Sequence, residues 1–169
     1  MSLCITASAL SHAGKVRINN EDNYYLQGHI RENVEQKQVK YSCAAQGNRF
    51  LAAVADGMGG EEYGEYASLF AVQSLRPCSF DKTEKTAMAS MEEANFHICS
   101  AIQNNGGKRM GSTLAALYMD DGKALCCNIG DSRCYFLRDG KLFQLSTDHN
   151  KAKRMVELGV LTPEQAARH

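Results

Sequence analysis

The order of hydrophobic patterns along this chain narrows its fold more than any single motif does. Short apolar or β-branched runs occupy 3–9, 22–27, 39–45 and 49–55, separated by polar or glycine-containing breaks, and are predicted as strands. The period then changes. Over 65–76, Leu69, Val72 and Leu75 recur at every third position, and over 82–104 Ala87, Met91, Ala94, Ile98 and Ile102 fall on one helical face. Asp81, with Glu84 three residues on, is predicted to start that second helix. Strand character returns at 112–119, 124–129, 133–138 and 141–145, with Asp121-Gly122 and Asp139-Gly140 as hairpin turns between runs. Strands, two helices and strands again indicate an α+β fold with largely antiparallel sheets, not an alternating doubly wound one. A further helix is predicted over 150–158 and closed by Gly159, and Thr162-Pro163-Glu164-Gln165 carries the cap residues of another.

Composition excludes several function classes. The 169 residues suit one domain with a proper core, and 44% hydrophobic with 22% charged residues is ordinary for a soluble globular chain. Lys+Arg and Asp+Glu are 19 each, so no charge excess points to nucleic acid or to a membrane surface. No run approaches the roughly 20 apolar residues of a membrane span, and residues 1–10 lack the pattern of a signal peptide. The seven cysteines are odd in number and show no C-x-x-C, which predicts buried, reduced thiols in a cytoplasmic protein. The five histidines show no zinc spacing.

Chemistry concentrates where strands end. The small apolar run 51–55 delivers Asp56 into Gly57-Met58-Gly59-Gly60. As a dinucleotide loop this fails, because Glu62 stands where a third glycine is needed and Glu61, Glu62 and Glu65 place negative charge where a pyrophosphate would sit. There is no phosphate-binding G-x-x-x-x-G-K-[ST] and no G-x-S-x-G nucleophile elbow. A site for a hard cation fits better, since carboxylates and backbone carbonyls suit Mg²⁺ and Mn²⁺. Glu21 and Asp22 form a second acidic group before an apolar run, and Asp131 in Asn-Ile-Gly-Asp-Ser-Arg forms a third. Arg17 offers a bidentate fork for a phosphate. Three acid-bearing strand ends can converge on one edge of a packed pair of sheets.

The segment Ser11-His12-Ala13-Gly14-Lys15-Val16-Arg17-Ile18-Asn19-Asn20-Glu21-Asp22 resembles the first signature of the metal-dependent (type 2C) serine/threonine protein phosphatases. Val54-Ala55-Asp56-Gly57-Met58-Gly59-Gly60 resembles the second. Gly111-Ser112-Thr113, Asn128-Ile129-Gly130-Asp131-Ser132-Arg133 and Thr147-Asp148-His149 follow in the family's order. The resemblance runs from about residue 7 to the end and leans towards bacterial members.

It implies a four-layer αββα sandwich of two antiparallel sheets flanked by helices. It implies two or three divalent cations, Mn²⁺ or Mg²⁺, and hydrolysis of phosphoserine and phosphothreonine by a metal-bridged water. By the same resemblance Asp56 bridges two ions, the Gly57 carbonyl binds one, Glu21 and Asp22 hold metal-bound waters, Asp131 serves a third site, and Arg17 binds the substrate phosphate. Phosphorylated proteins are the implied substrates and a serine/threonine kinase the implied counterpart. Met58 stands where many eukaryotic relatives carry histidine, and a thioether donates no proton.

The family's two later acidic motifs do not occur in these 169 residues. The expectation is therefore the N-terminal two-thirds or so of a single catalytic domain, incomplete at the C-terminal end, with exposed sheet edges open to dimerisation. The alternative is a catalytically incomplete fragment that acts by binding a partner.

Overall fold

The computed structural model describes residues 3–58, 63–76 and 83–166. In chain order the first strands are β1 (Leu3–His12), β2 (Asn23–Leu26), β3 (His29–Ile30), β4 (Gln38–Gly47), β5 (Arg49–Ala55) and β6 (Gly57–Met58). Two helices follow, α1 (Gly64–Gln73) and α2 (Thr83–Asn104). Then come β7 (Gly111–Ser112), β8 (Leu114–Asp120), β9 (Lys123–Ile129), β10 (Tyr135–Arg138) and β11 (Lys141–Gln144), and finally α3 (Lys151–Glu157) and α4 (Pro163–Ala166). The fold is α+β, as the pattern order requires, and every described strand pair is antiparallel.

A five-stranded sheet in the order β3-β2-β5-β8-β9 is the centre of the molecule. Its two faces are built by the period-two alternation of its strands. Leu51, Ala53 and Ala55 of β5 join Tyr25, Leu114, Ala116 and Tyr118 on one face, where Ala71, Val72, Leu75, Ala87 and Ala94 of the helical segments cover them. Tyr24, Leu26 and Phe50 point the other way, onto Ile5, Ala7, Ala9, Val39, Tyr41 and Cys43 of the β1–β4 pair. Helices, central sheet and a second sheet thus stack as successive layers. The β10–β11 hairpin forms a separate two-stranded sheet, and α3 buries no residue.

Both predicted hairpin turns form with the expected left-handed pair: Asp121 and Gly122 at φ 45° and 79°, Asp139 and Gly140 at φ 51° and 71°. The Thr162 cap also forms reciprocally, Gln165 N–H donating to Thr162 Oγ1 at 3.2 Å and Thr162 N–H to Gln165 Oε1 at 2.8 Å. Asp81 lies outside the described residues. One expectation fails. The cysteines are not core residues: Cys4 and Cys99 are exposed, and Cys43, Cys126, Cys127 and Cys134 are partly buried, all six as free thiols. Cys4, Cys43, Cys126 and Cys127 stand on strands and Cys99 on α2, all outside the closed core that Ala, Tyr and Leu fill. Cys78 lies outside the described residues.

Candidate metal centre

Asp56 is the residue between the last position of β5 and the first of β6. Its backbone is clamped from the facing strand. The Asp56 N–H donates to Thr113 Oγ1 at 2.9 Å, and its carbonyl accepts from the Thr113 N–H at 2.9 Å and the Ser112 hydroxyl at 3.2 Å. Thr113 is itself buried and paired with Ser132 Oγ at 2.6 Å. With its main chain fully engaged, Asp56 has only its carboxylate left to present.

The glycines after Asp56 have a steric reason as well as a chemical one. A Cβ on Gly57 would meet the Gly64 carbonyl oxygen at 2.0 Å and the Glu21 carbonyl oxygen at 2.6 Å. Gly57 N–H in turn donates to that Glu21 carbonyl at 3.2 Å. A Cβ on Gly64, the first residue of α1, would lie 2.7 Å from the Glu21 carboxyl carbon and would have to displace that side chain. The Glu21 loop, Gly57 and the start of α1 are therefore packed backbone against backbone.

These elements enclose a polar cleft of about 490 Å³ lined by His12, Arg17, Asn20, Glu21, Asp22, Asp56, Gly57 and Met58, among others. Arg17, Glu21, Asp22, Asp56 and Gly57, all named from sequence, are brought together here. Asp131 does not line this cleft. Its segment is tied instead to the Asp148-His149 loop: Arg133 Nε donates to Asp148 at 2.9 Å, Asn128 Nδ2 to the Thr147 carbonyl at 2.8 Å, and His149 N–H to the Gly130 carbonyl at 2.9 Å.

The electrostatics of the cleft are set by several partly buried carboxyls close to one another. The Asp22 carboxyl is raised above the ordinary aspartate range by partial burial, by the neighbouring Asp56 charge and by a hydrogen bond to the Asp56 carboxyl. Glu21 is raised by burial and by the charge of Glu65, with Arg17 opposing. Oε2 of Glu65 is buried and has no hydrogen-bond partner. Like-charged, partly desolvated carboxylates disfavour their ionised forms, and a divalent cation between them removes that penalty. The donor set fits a hard cation in chemistry, although among the described residues no three His, Cys, Asp or Glu side chains gather closely enough to hold one alone.

A stability test follows from the sign of these shifts. Groups whose folded pKa is raised contribute stability that is full below the ordinary carboxylate range and is lost as pH rises through the raised values. Without divalent ions, the wild-type Tm should therefore fall, relative to an Asp22→Asn, Glu21→Gln variant, as pH rises above the ordinary carboxylate range. Mn²⁺ at neutral pH should reverse the difference; equal Tm curves for the two proteins at all pH values would contradict the assignment.

Three features in or around the cleft carry no role in the sequence pattern. His12 accepts the Gly14 N–H at its Nδ1 at 2.7 Å, which leaves the ring proton on Nε2. Thr113 clamps Asp56, and Arg31, which is 1% exposed, lies behind the acidic loop. A buried arginine among backbone carbonyls leaves no sequence signal, whereas the Ser-Thr pair after Gly111 was visible as a motif without a role.

Comparison with known proteins identifies the family. Residues 27–169 match the family described as protein phosphatase 2C. The chain is 32% identical over 174 residues to the serine/threonine protein phosphatase PstP of Mycobacterium tuberculosis, covering 100% of this chain and 30% of that one. It is 32% identical to the serine/threonine phosphatase stp of Listeria welshimeri, with 92% of this chain and 59% of the relative covered. A crystal structure of the PstP catalytic domain in complex with two manganese ions superposes with a TM-score of 0.74 at 29% identity, covering 98% of this chain and 65% of that one. The chain thus spans less than two thirds of the length of each of these relatives. Among the described residues no helix is long and apolar enough to cross a membrane.

Proposed function

Because the chain belongs to the protein phosphatase 2C family, we propose that it is a metal-dependent protein phosphatase acting on phosphoserine and phosphothreonine. The observation that carries this reading is the convergence of the Asp22, Asp56 and Glu21 carboxyls in one polar cleft that Arg17 also lines. Asp56 and the Gly57 carbonyl would hold the ions, Glu21 and Asp22 would stand beside them in the same cleft, and Asp131 would serve a further, peripheral ion. Two divalent cations, Mn²⁺ or Mg²⁺, would supply an activated water for in-line attack at phosphorus and positive charge to offset the phosphoryl oxygens.

The chain's own residues do the positioning. Arg17 takes two phosphate oxygens in its guanidinium fork and fixes the phosphorus over the acidic floor of the cleft. Thr113 and Ser112 keep the Asp56 backbone still, so little reorganisation accompanies the charge that develops in the transition state. Met58 is 57% exposed on the rim and contributes no proton. The substrates are phosphorylated proteins, the kinase that makes them is the natural counterpart, and the cytoplasm is where both would meet this chain. Its coverage of the solved catalytic domain supports reading residues 1–169 as part of one such domain.

A second reading has one observation in its favour. The lack of any three-ligand cluster among the described residues is what a partner-binding, catalytically incomplete chain would show. Release of inorganic phosphate from a phosphothreonine peptide separates the two. The phosphatase reading expects Mn²⁺-dependent release that is stopped by a chelator, with KM raised about tenfold or more in Arg17→Ala. A folded chain that releases no phosphate would favour the partner-binding reading.

A further inference from the structure

Arg31 stands immediately after β3 and outside the cleft lining, yet its side chain is the largest fully buried one among the described residues. It forms no described salt bridge. Its donors go to backbone carbonyls instead: Nη2 to Asn20 at 2.8 Å, Nε to Asp22 at 3.1 Å, and Nη1 to Val34 at 2.8 Å and Gln36 at 3.1 Å. Two of those four acceptors flank Glu21. The carbonyl of Glu21 itself is taken by the Gly57 N–H. Three consecutive carbonyls of the acidic loop are thus fixed, the outer two by one arginine and the middle one by the loop that carries Asp56.

The rest of the setting is equally polar and equally dry. Asn23, 2% exposed, holds the Arg31 backbone from both sides, Nδ2 donating to its carbonyl at 2.9 Å and Oδ1 accepting from its N–H at 3.0 Å. Asn20, 3% exposed, donates to Ser11 Oγ at 2.8 Å, and the Ser11 hydroxyl donates to the Asp22 carbonyl at 3.2 Å. Asp22 N–H donates to Asn20 Oδ1 at 3.1 Å. A buried charge is costly unless it is well hydrogen-bonded, and a network of this kind selects one geometry over its neighbours. The Asp22 and Glu65 carboxylates act electrostatically on the guanidinium, so it also supplies a fixed positive charge beside acids of the loop and of α1.

We infer that Arg31 is the positioning residue of the cation site: by pinning the carbonyls on either side of Glu21 it sets where the Glu21 and Asp22 carboxylates stand relative to Asp56. The inference rests on the metal reading of the cleft. Arg31 touches no reacting atom. It acts through the acidic loop, as groups behind a ligand do when they orient it. Lysine keeps the charge but has no planar fork, so it cannot span Asn20 and Asp22 together.

The test is the Arg31→Lys chain, with Arg31→Gln as a second variant if lysine fails to fold, each compared with wild type in two measurements. Amide hydrogen exchange, without metal, reads the loop. The Asp22 and Gly57 amides should exchange at least tenfold faster in the variant, while amides of β8 keep their wild-type rates. Mn²⁺ titration followed by the free-ion paramagnetic resonance signal reads the site, and Kd should rise about tenfold to a hundredfold in the folded variant. A purely structural arginine would lower Tm and accelerate exchange evenly, leaving the Mn²⁺ Kd of the folded protein within twofold; that outcome overturns the inference. If the wild-type chain bound no Mn²⁺, the metal reading would fall, while exchange at Asp22 and Gly57 would still decide whether Arg31 holds the loop.

Discussion

Gly57→Ala is expected to destabilise the protein by about 3 kcal/mol or more in chemical unfolding, a large effect for one methyl group. The added Cβ would lie 2.0 Å from the Gly64 carbonyl oxygen and 2.6 Å from the Glu21 carbonyl oxygen. Both obstacles are backbone, so no rotamer change relieves them. Relief requires both α1 to move off the central sheet, where Ala67, Ala71 and Val72 are buried, and the Glu21 loop to leave its place against Gly57. The first movement loses core packing and the second takes apart the cleft. A variant that keeps stability within 0.5 kcal/mol, roughly the scatter of neutral surface substitutions, would show that the two loops are not packed as described.

Asp56→Asn separates chemistry from folding. The Asp56 backbone carries the contacts to Ser112 and Thr113, and asparagine keeps the shape of the side chain. The fold should persist. In the absence of metal, Tm near neutral pH should stay the same or rise, because the change removes a charge that holds Asp22 above its ordinary range. Hydrolysis should nevertheless fall about 10³-fold or more, in kcat rather than KM, since the lost charge is the one aimed at the reacting centre. Retained turnover in a folded Asp56→Asn chain would remove Asp56 from the mechanism.

Much of this architecture was legible in the sequence because its signals are local. The hairpin turns at Asp121-Gly122 and Asp139-Gly140 are written in two residues each, and both form. The core faces of the helical segments are written in a three-to-four-residue period, and Val72, Leu75, Ala87 and Ala94 are buried as that period requires. What the sequence did not show depends on long-range partners. The run 112–119 read as one strand, yet Thr113 leaves the ladder between β7 and β8 because its hydroxyl and N–H turn to Asp56, 57 positions away. The two-residue strands β3 and β6 carry too few residues to show a period.

The cleft was legible to a similar degree. Its acids announce themselves by standing at strand ends beside glycines, and five of the six named site residues meet there. The sixth, Asp131, sits in a segment that pairs with Thr113 through Ser132 and with the Asp148-His149 loop through Asn128, Gly130 and Arg133. Arg31 was invisible for the opposite reason. Its four acceptors are backbone carbonyls, which every residue owns, so nothing in the side-chain pattern marks it. The cysteines misled because small apolar strands also line faces that this chain leaves partly open, as Cys126 and Cys127 of β9 do.

The central claim is that the acids around Asp56 hold divalent cations, and it is tested most directly by Mn²⁺ binding to this chain, wild type beside Asp56→Asn. Titration followed by loss of the free-ion resonance signal should show Mn²⁺ bound by the wild type and at least about a hundredfold weaker binding in the variant, by the standard that even indirect partners of a metal ligand are worth 10–100-fold. Equal affinity in the two proteins, or no Mn²⁺ bound by a folded wild-type chain, would contradict the account.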